Sequence, residues 1–141
     1  MDGFLDSLSK ELDPDWNIHL TSTLPGGVKT NYFQNSVVFT DRHPAYLKPS
    51  LPTNQMQAMY KMPGISDMFP EPARLVETVV EVVKNGIGEL GIPLRLPLGG
   101  DSWTIVKHAT EKSLTELDIV KETSFSTQVD GAAMGLIADL A

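Results

Sequence analysis

Phe4, Leu5, Leu8 and Leu12 recur at helical spacing, while Asp6, Ser9, Lys10 and Glu11 fall on the rest of the wheel. One apolar stripe with a polar remainder predicts an amphipathic helix. Pro14 stops it, because a proline inside a helix removes a hydrogen bond and clashes with the preceding turn. The period then drops to two. Ile18, Leu20, Ser22 and Leu24 alternate with His19, Thr21 and Thr23, which predicts a strand within residues 17–24. Pro25-Gly26-Gly27 breaks the ladder and turns the chain.

From Thr30 to Pro72 no period holds for long. Pro44, Pro49, Pro52, Pro63 and Pro70 leave room only for short helices, such as one over residues 54–60. So long a connection is as a rule functional or disordered. Its aromatic and methionine side chains, among them Phe33, Phe39, Tyr46, Met59, Met68 and Phe69, argue against disorder. Residues 31–71 therefore read as a lid over an apolar ligand or as a loop packed on the core. Pro72, suited to a first helical turn, begins the strongest helix. Its buried face is expected at Leu75, Val76, Val79, Val80 and Val83, with Val82 widening the apolar surface and Asn85-Gly86 ending it. Residues 92–98 predict a second strand, and Pro93 and Pro97 place it at a sheet edge. Asp101 or Ser102 is expected to cap a helix through about Lys121, with Trp103, Val106, Leu114, Leu117 and Val120 inward. The small apolar residues of 128–141 predict a weak docked helix or a frayed tail. The order helix, strand, long connection with helix, strand, helix describes an α/β domain whose crossover unit has two parallel strands and a right-handed connection.

Composition narrows the functional classes. The chain has 141 residues, enough for one domain, and its 18 acidic against 11 basic residues give a net charge of −7. An acidic chain without a basic cluster is no partner for a nucleic-acid backbone or an anionic membrane. No window approaches the roughly 18–20 apolar residues of a membrane span, and the first residues carry no secretory pattern. Without cysteine there is no disulfide framework, thiolate metal site or cysteine nucleophile. A cytoplasmic setting fits these observations. His19, His43 and His108 are spread along the chain with no spacing that predicts a metal site. Asp41-Arg42-His43 is the acid/base candidate by composition, set against a plain solvated loop. Gly86-Ile87-Gly88-Glu89-Leu90-Gly91 matches G-x-G-x-x-G, but it follows a helix and opens a strand. A dinucleotide fingerprint needs the reverse order, so that pyrophosphate meets a helix N-terminus. The hexapeptide is read as a helix cap and a turn.

Several stretches together resemble the short-chain dehydrogenases/reductases, doubly wound nicotinamide-dependent enzymes. The segment from Asp2-Gly3-Phe4 to Ser9-Lys10-Glu11-Leu12 resembles the helix that carries the family's Tyr-x-x-x-Lys in its first turns. Residues 18–24 resemble the sixth strand, and Pro25-Gly26-x-x-x-Thr30 the cofactor-contacting loop after it. Glu71-Pro72-Ala73-Arg74 resembles the start of the helix after the substrate loop. Pro93-Leu94-Arg95-Leu96-Pro97-Leu98-Gly99-Gly100-Asp101 resembles the last strand and the turn beyond. The similarity runs to about Thr127. The Tyr-x-x-x-Lys itself is absent, since Ser36, Ser50 and Gly64 stand four residues after Tyr32, Tyr46 and Tyr60. By the resemblance, that pair, the catalytic serine and the Gly-rich phosphate turn belong upstream of Met1.

The resemblance thus implies a truncated Rossmann-like domain: a βαβ unit of two parallel strands flanked by helices. It implies NAD or NADP as cofactor, contacted by Pro25, Gly26, a backbone amide near Val28, and the Thr30 hydroxyl, with no catalytic residue assigned. Glycines there allow close approach of backbone to ligand. The chain is expected not to transfer hydride alone. The alternatives are a repurposed isomerase or cyclase acting on a small apolar metabolite beneath the lid, or a binding subunit for a full-length relative. A homodimer is expected through the Leu5/Leu8/Leu12 helix and the helix over residues 76–83, which resemble the family's dimer-forming pair.

Overall fold

The structure is a computed structural model that describes residues 2–128. The chain divides into two units, residues 1–104 and residues 105–141. Helix α1 runs Asp2–Glu11, ahead of Pro14, and Asp13 caps a single 3-10 turn at Pro14–Trp16. Strand β1 is Ser22–Pro25, shorter than the alternation predicts. Ile18 is outside it and about half exposed. Within the long connection lie α2 (Tyr32–Asn35) and α3 (Pro52–Tyr60), together with 3-10 turns at Pro44–Tyr46 and Ile65–Met68. Helix α4 is Pro72–Asn85, β2 is Arg95–Leu98, and α5 is Gly100–Phe125.

The two strands pair in parallel, with Ser22 opposite Arg95 and Pro25 opposite Leu98. The α/β crossover expected from the sequence is therefore present: two parallel strands joined through α4 and flanked by helices. Ser22 and Gly26 donate their amides to Leu94 and Leu98 carbonyls, both at 2.8 Å. In such a ladder alternate residues face the partner strand, so Pro97 points its missing N–H to the outer edge. Pro25 does the same on the opposite edge of β1, where only Thr23 remains to offer a ladder donor.

The core of the first unit forms where α4 crosses this sheet. Val82, Leu96 and Leu98 are buried there, with Leu75 and Val79 packed against them. This corrects the expected face of α4. Val76, Val80 and Val83 are exposed, because the sheet takes the stripe at 75, 79 and 82, to one side of the 76, 80 and 83 stripe. Near the opposite end of β2, Arg95 pairs with Asp6 of α1 at 2.5 Å.

Helix α5 begins at Gly100, before the expected cap, and ends beyond Lys121. Its buried side chain in the first unit is Ser102 and not Trp103, which is 56% exposed. In the second unit Leu114, Leu117 and Val120 are exposed and Val106 is half-buried, so the inward row expected for α5 buries little. The expected tail falls outside the described residues from 129 onward.

Candidate functional site

The carboxyl end of β1 runs into the turn Pro25-Gly26-Gly27-Val28-Lys29-Thr30, and three amides of this turn have acceptors. Gly26 donates to the Leu98 carbonyl at 2.8 Å, extending the ladder by one bond. Gly27 donates to the Asp101 carboxylate at 2.7 Å. Lys29 donates to the Pro70 carbonyl at 2.9 Å. Between them, the Val28 amide has no acceptor among the described residues. Thr30 Oγ1 accepts from the Tyr32 amide at 3.3 Å, which leaves its hydroxyl proton to donate elsewhere.

The two glycines are a steric requirement of this arrangement. A Cβ on Gly26 would overlap the Asp101 carboxylate, and one on Gly27 would overlap the Phe69 ring. Asp101 lies in the first turn of α5. The next residue, Ser102, donates its hydroxyl to the Leu24 carbonyl at 2.7 Å. The first turn of α5 is thereby fastened to the end of β1 by two consecutive side chains. The Gly27 amide holds the Asp101 carboxyl below the usual carboxylate range, helped by the Ser102 and Asp101 amides and opposed by partial desolvation.

Lys29 ties the turn to the end of the long connection. Its ammonium lies 3.0 Å from Glu71 and 3.3 Å from Asp67. These two acids, Glu71 first, raise its pKa above 10.5. Beside them a depression of about 400 Å³ is lined by Lys29, Thr30, Asn31, Gly64, Ser66, Asp67 and Glu71. The turn therefore carries three carboxylates, Asp67, Glu71 and Asp101, against one ammonium.

The predicted cofactor contacts Pro25, Gly26, Val28 and Thr30 thus lie on one turn, with Val28 and Thr30 holding its uncommitted donors. Asp101 was legible only as a helix cap, because nothing in its local sequence announces a bond to an amide so far back in the chain.

The other candidates resolve differently. Arg42 bonds Thr53 and Asn54, and Asn54 in turn donates to the Tyr46 and Lys48 carbonyls, both at 2.7 Å. His43 Nδ1 accepts from the Ala45 amide at 3.2 Å and caps the turn at Pro44–Tyr46. Arg42 and His43 therefore tie the long connection to itself. Among the described residues no three histidine or carboxylate side chains converge on a metal position, and no helix is long and apolar enough to cross a membrane. The glycine hexapeptide is a turn. Gly86 closes α4 at φ 67°, and Ile87 bridges back to Gly91.

Comparison with known proteins agrees with an oxidoreductase relationship. The chain is 29% identical over 124 residues to the oxidoreductase calM of Penicillium decumbens, covering 88% of this chain and 40% of that protein. It is 37% identical over 46 residues to an uncharacterized oxidoreductase of Schizosaccharomyces pombe, covering 33% of this chain and 16% of that one. The chain thus spans less than half the length of the curated relatives it matches. No profile of a protein family matches it, and no solved structure does.

Proposed function

We propose that this chain is the nicotinamide-facing part of an NAD- or NADP-dependent oxidoreductase of the short-chain dehydrogenase/reductase type. The observation that carries the reading is the Val28 amide, left without an acceptor among the described residues between two tied neighbours. An amide held in one direction by bonds on both sides is a preorganised donor, and its hydrogen bond to a ligand costs little further ordering. The Thr30 hydroxyl offers a second donor two residues on.

The charge of the turn supports the assignment of this end of the cofactor. Three carboxylates against one lysine repel a phosphate and suit a neutral carboxamide or a cationic ring. The similarity to two proteins named oxidoreductases supports the redox class. When bound, the nicotinamide cofactor supplies or accepts the hydride, and the residues here bind and orient it. Reduction of a carbonyl also needs a proton donor at its oxygen, and none of the groups of the turn is aimed for that task. The reading therefore assigns this chain orientation of the cofactor and not turnover by itself. Residues 31–71 are assigned to cover a small apolar metabolite on the other side.

Titration of the ¹⁵N-labelled chain with NAD⁺ and NADP⁺ tests the reading. The Val28 and Thr30 amides are expected to move saturably. If both stay fixed while the chain is folded, the reading fails.

A second reading concerns assembly. The apolar depression of about 290 Å³ formed by Thr23, Pro25, Leu75, Val76, Val79, Val80 and Leu98 lies open beside the exposed valines of α4. Those valines favour pairing with a second copy or with a full-length relative.

A further inference from the structure

We propose that Asp101 is the positioning residue of the ligand-binding turn, with Ser102 as its brace; this rests on the reading of that turn given above. Gly26 and Gly27 are the residues with the most backbone freedom in the turn, and a turn built on two glycines has no preferred direction of its own. Three observations show how this one obtains it. The Asp101 carboxylate accepts the Gly27 amide at 2.7 Å and so fixes the Gly26–Gly27 peptide plane, the one before the plane that carries the Val28 amide. The same carboxylate fills the space that a Cβ on Gly26 would need, so the glycine and the acid form one fitted pair. Ser102, buried at 8% exposure, bonds the Leu24 carbonyl and holds the first turn of α5 at the end of β1. On the other side the bond from Lys29 to Pro70 fixes the peptide plane after Val28.

In this proposal Asp101 is not a ligand contact. It acts through Gly27 on the direction of the Val28 amide. The bond needs an oxygen that accepts at this position, and the carboxylate's charge strengthens it further. The substitution Asp101→Ala should leave the fold of α4 and β2 intact and free the Gly27 amide. Asp101→Asn keeps an oxygen that accepts from Gly27 and should largely restore the wild-type behaviour.

The test uses the ¹⁵N-labelled full chain and NAD⁺ as probe. In Asp101→Ala the Gly27 amide proton should move upfield and exchange faster, and the NAD⁺ concentration needed to half-saturate the Val28 shift should rise about tenfold. Rescue by Asp101→Asn separates positioning from a charge effect on ligand attraction, which asparagine would not rescue. A Val28 response in Asp101→Ala equal to that of the wild type overturns the proposal. A double-mutant comparison reads the clamp without any ligand. Gly26→Ala expels the carboxylate, so Gly26→Ala with Asp101→Ala should accelerate Gly27 exchange no more than either change alone. Multiplicative acceleration overturns the proposal. If the wild-type Val28 amide ignores NAD⁺ while the exchange effects are non-additive, the clamp stands and the cofactor reading is what fails.

Discussion

At the scale of single residues the turn after β1 is governed by what is missing from Gly26 and Gly27. Alanine at position 27 drives a Cβ into the Phe69 ring, a form of overpacking that costs about 1–3 kcal/mol. Gly3, in contrast, has nothing within 4 Å of an added Cβ and lies in α1. Gly3→Ala should be neutral or stabilising by up to about 1 kcal/mol, since alanine is the better helix former. Urea unfolding of the two variants checks the contrast, and equal effects would contradict the packing described. Asp101 adds a pH signature. Its folded pKa lies below the ordinary 3.8, with the Gly27 amide as first cause. The bond therefore stabilises the fold above that ordinary value and is lost as pH falls through the folded one. The Gly27 amide shift should stay flat from neutral pH down to about 4 and move only below it. Movement near neutrality would remove Asp101 as the acceptor.

At the scale of elements the sequence was read best where one period dominates. Helix α4 is bounded by Pro72 and Gly86, and both ends follow from local chemistry that needs no tertiary partner. Which side of α4 is buried was not legible. Leu75 and the five valines form one broad apolar face, and the sheet decides between its 75/79/82 side and its 76/80/83 side. Helix α5 shows the reverse case. Its apolar residues are real, but the side chain it buries is Ser102, chosen by the Leu24 carbonyl and by no hydrophobic pattern. The turn was legible from Pro25-Gly26-Gly27, whereas its partners Asp101 and Phe69 come from distant parts of the chain that only folding brings together. The packing makes a paired prediction. Leu98→Ala, at the buried centre, should cost about 2–5 kcal/mol. Val83→Ala, exposed on α4, should change stability by less than about 0.5 kcal/mol. Thermal melts of both variants decide it, and comparable losses would contradict this packing of α4.

At the scale of the whole molecule, few apolar side chains are buried: Ile65, Val82, Leu96 and Leu98 among the described residues. The exposed Val76 and Val80 of α4 and the open strand edge at Thr23 suit the proposed pairing with a second chain. Sedimentation of the wild type should give a mass above that of the 15.4 kDa monomer, and Val80→Glu should lower it. A monomer at high concentration in both would contradict self-association.

The central claim, that the turn from Pro25 to Thr30 receives the nicotinamide end of a dinucleotide, is tested most directly at one amide. The Val28 ¹H–¹⁵N resonance should be titrated with NAD⁺ and, separately, with ADP-ribose, which lacks the nicotinamide. A turn that lends two hydrogen-bond donors and ring packing should bind NAD⁺ weakly, on the order of millimolar. The account predicts a saturable Val28 shift with NAD⁺ and none with ADP-ribose. Equal shifts with both ligands, or none with either, would contradict it.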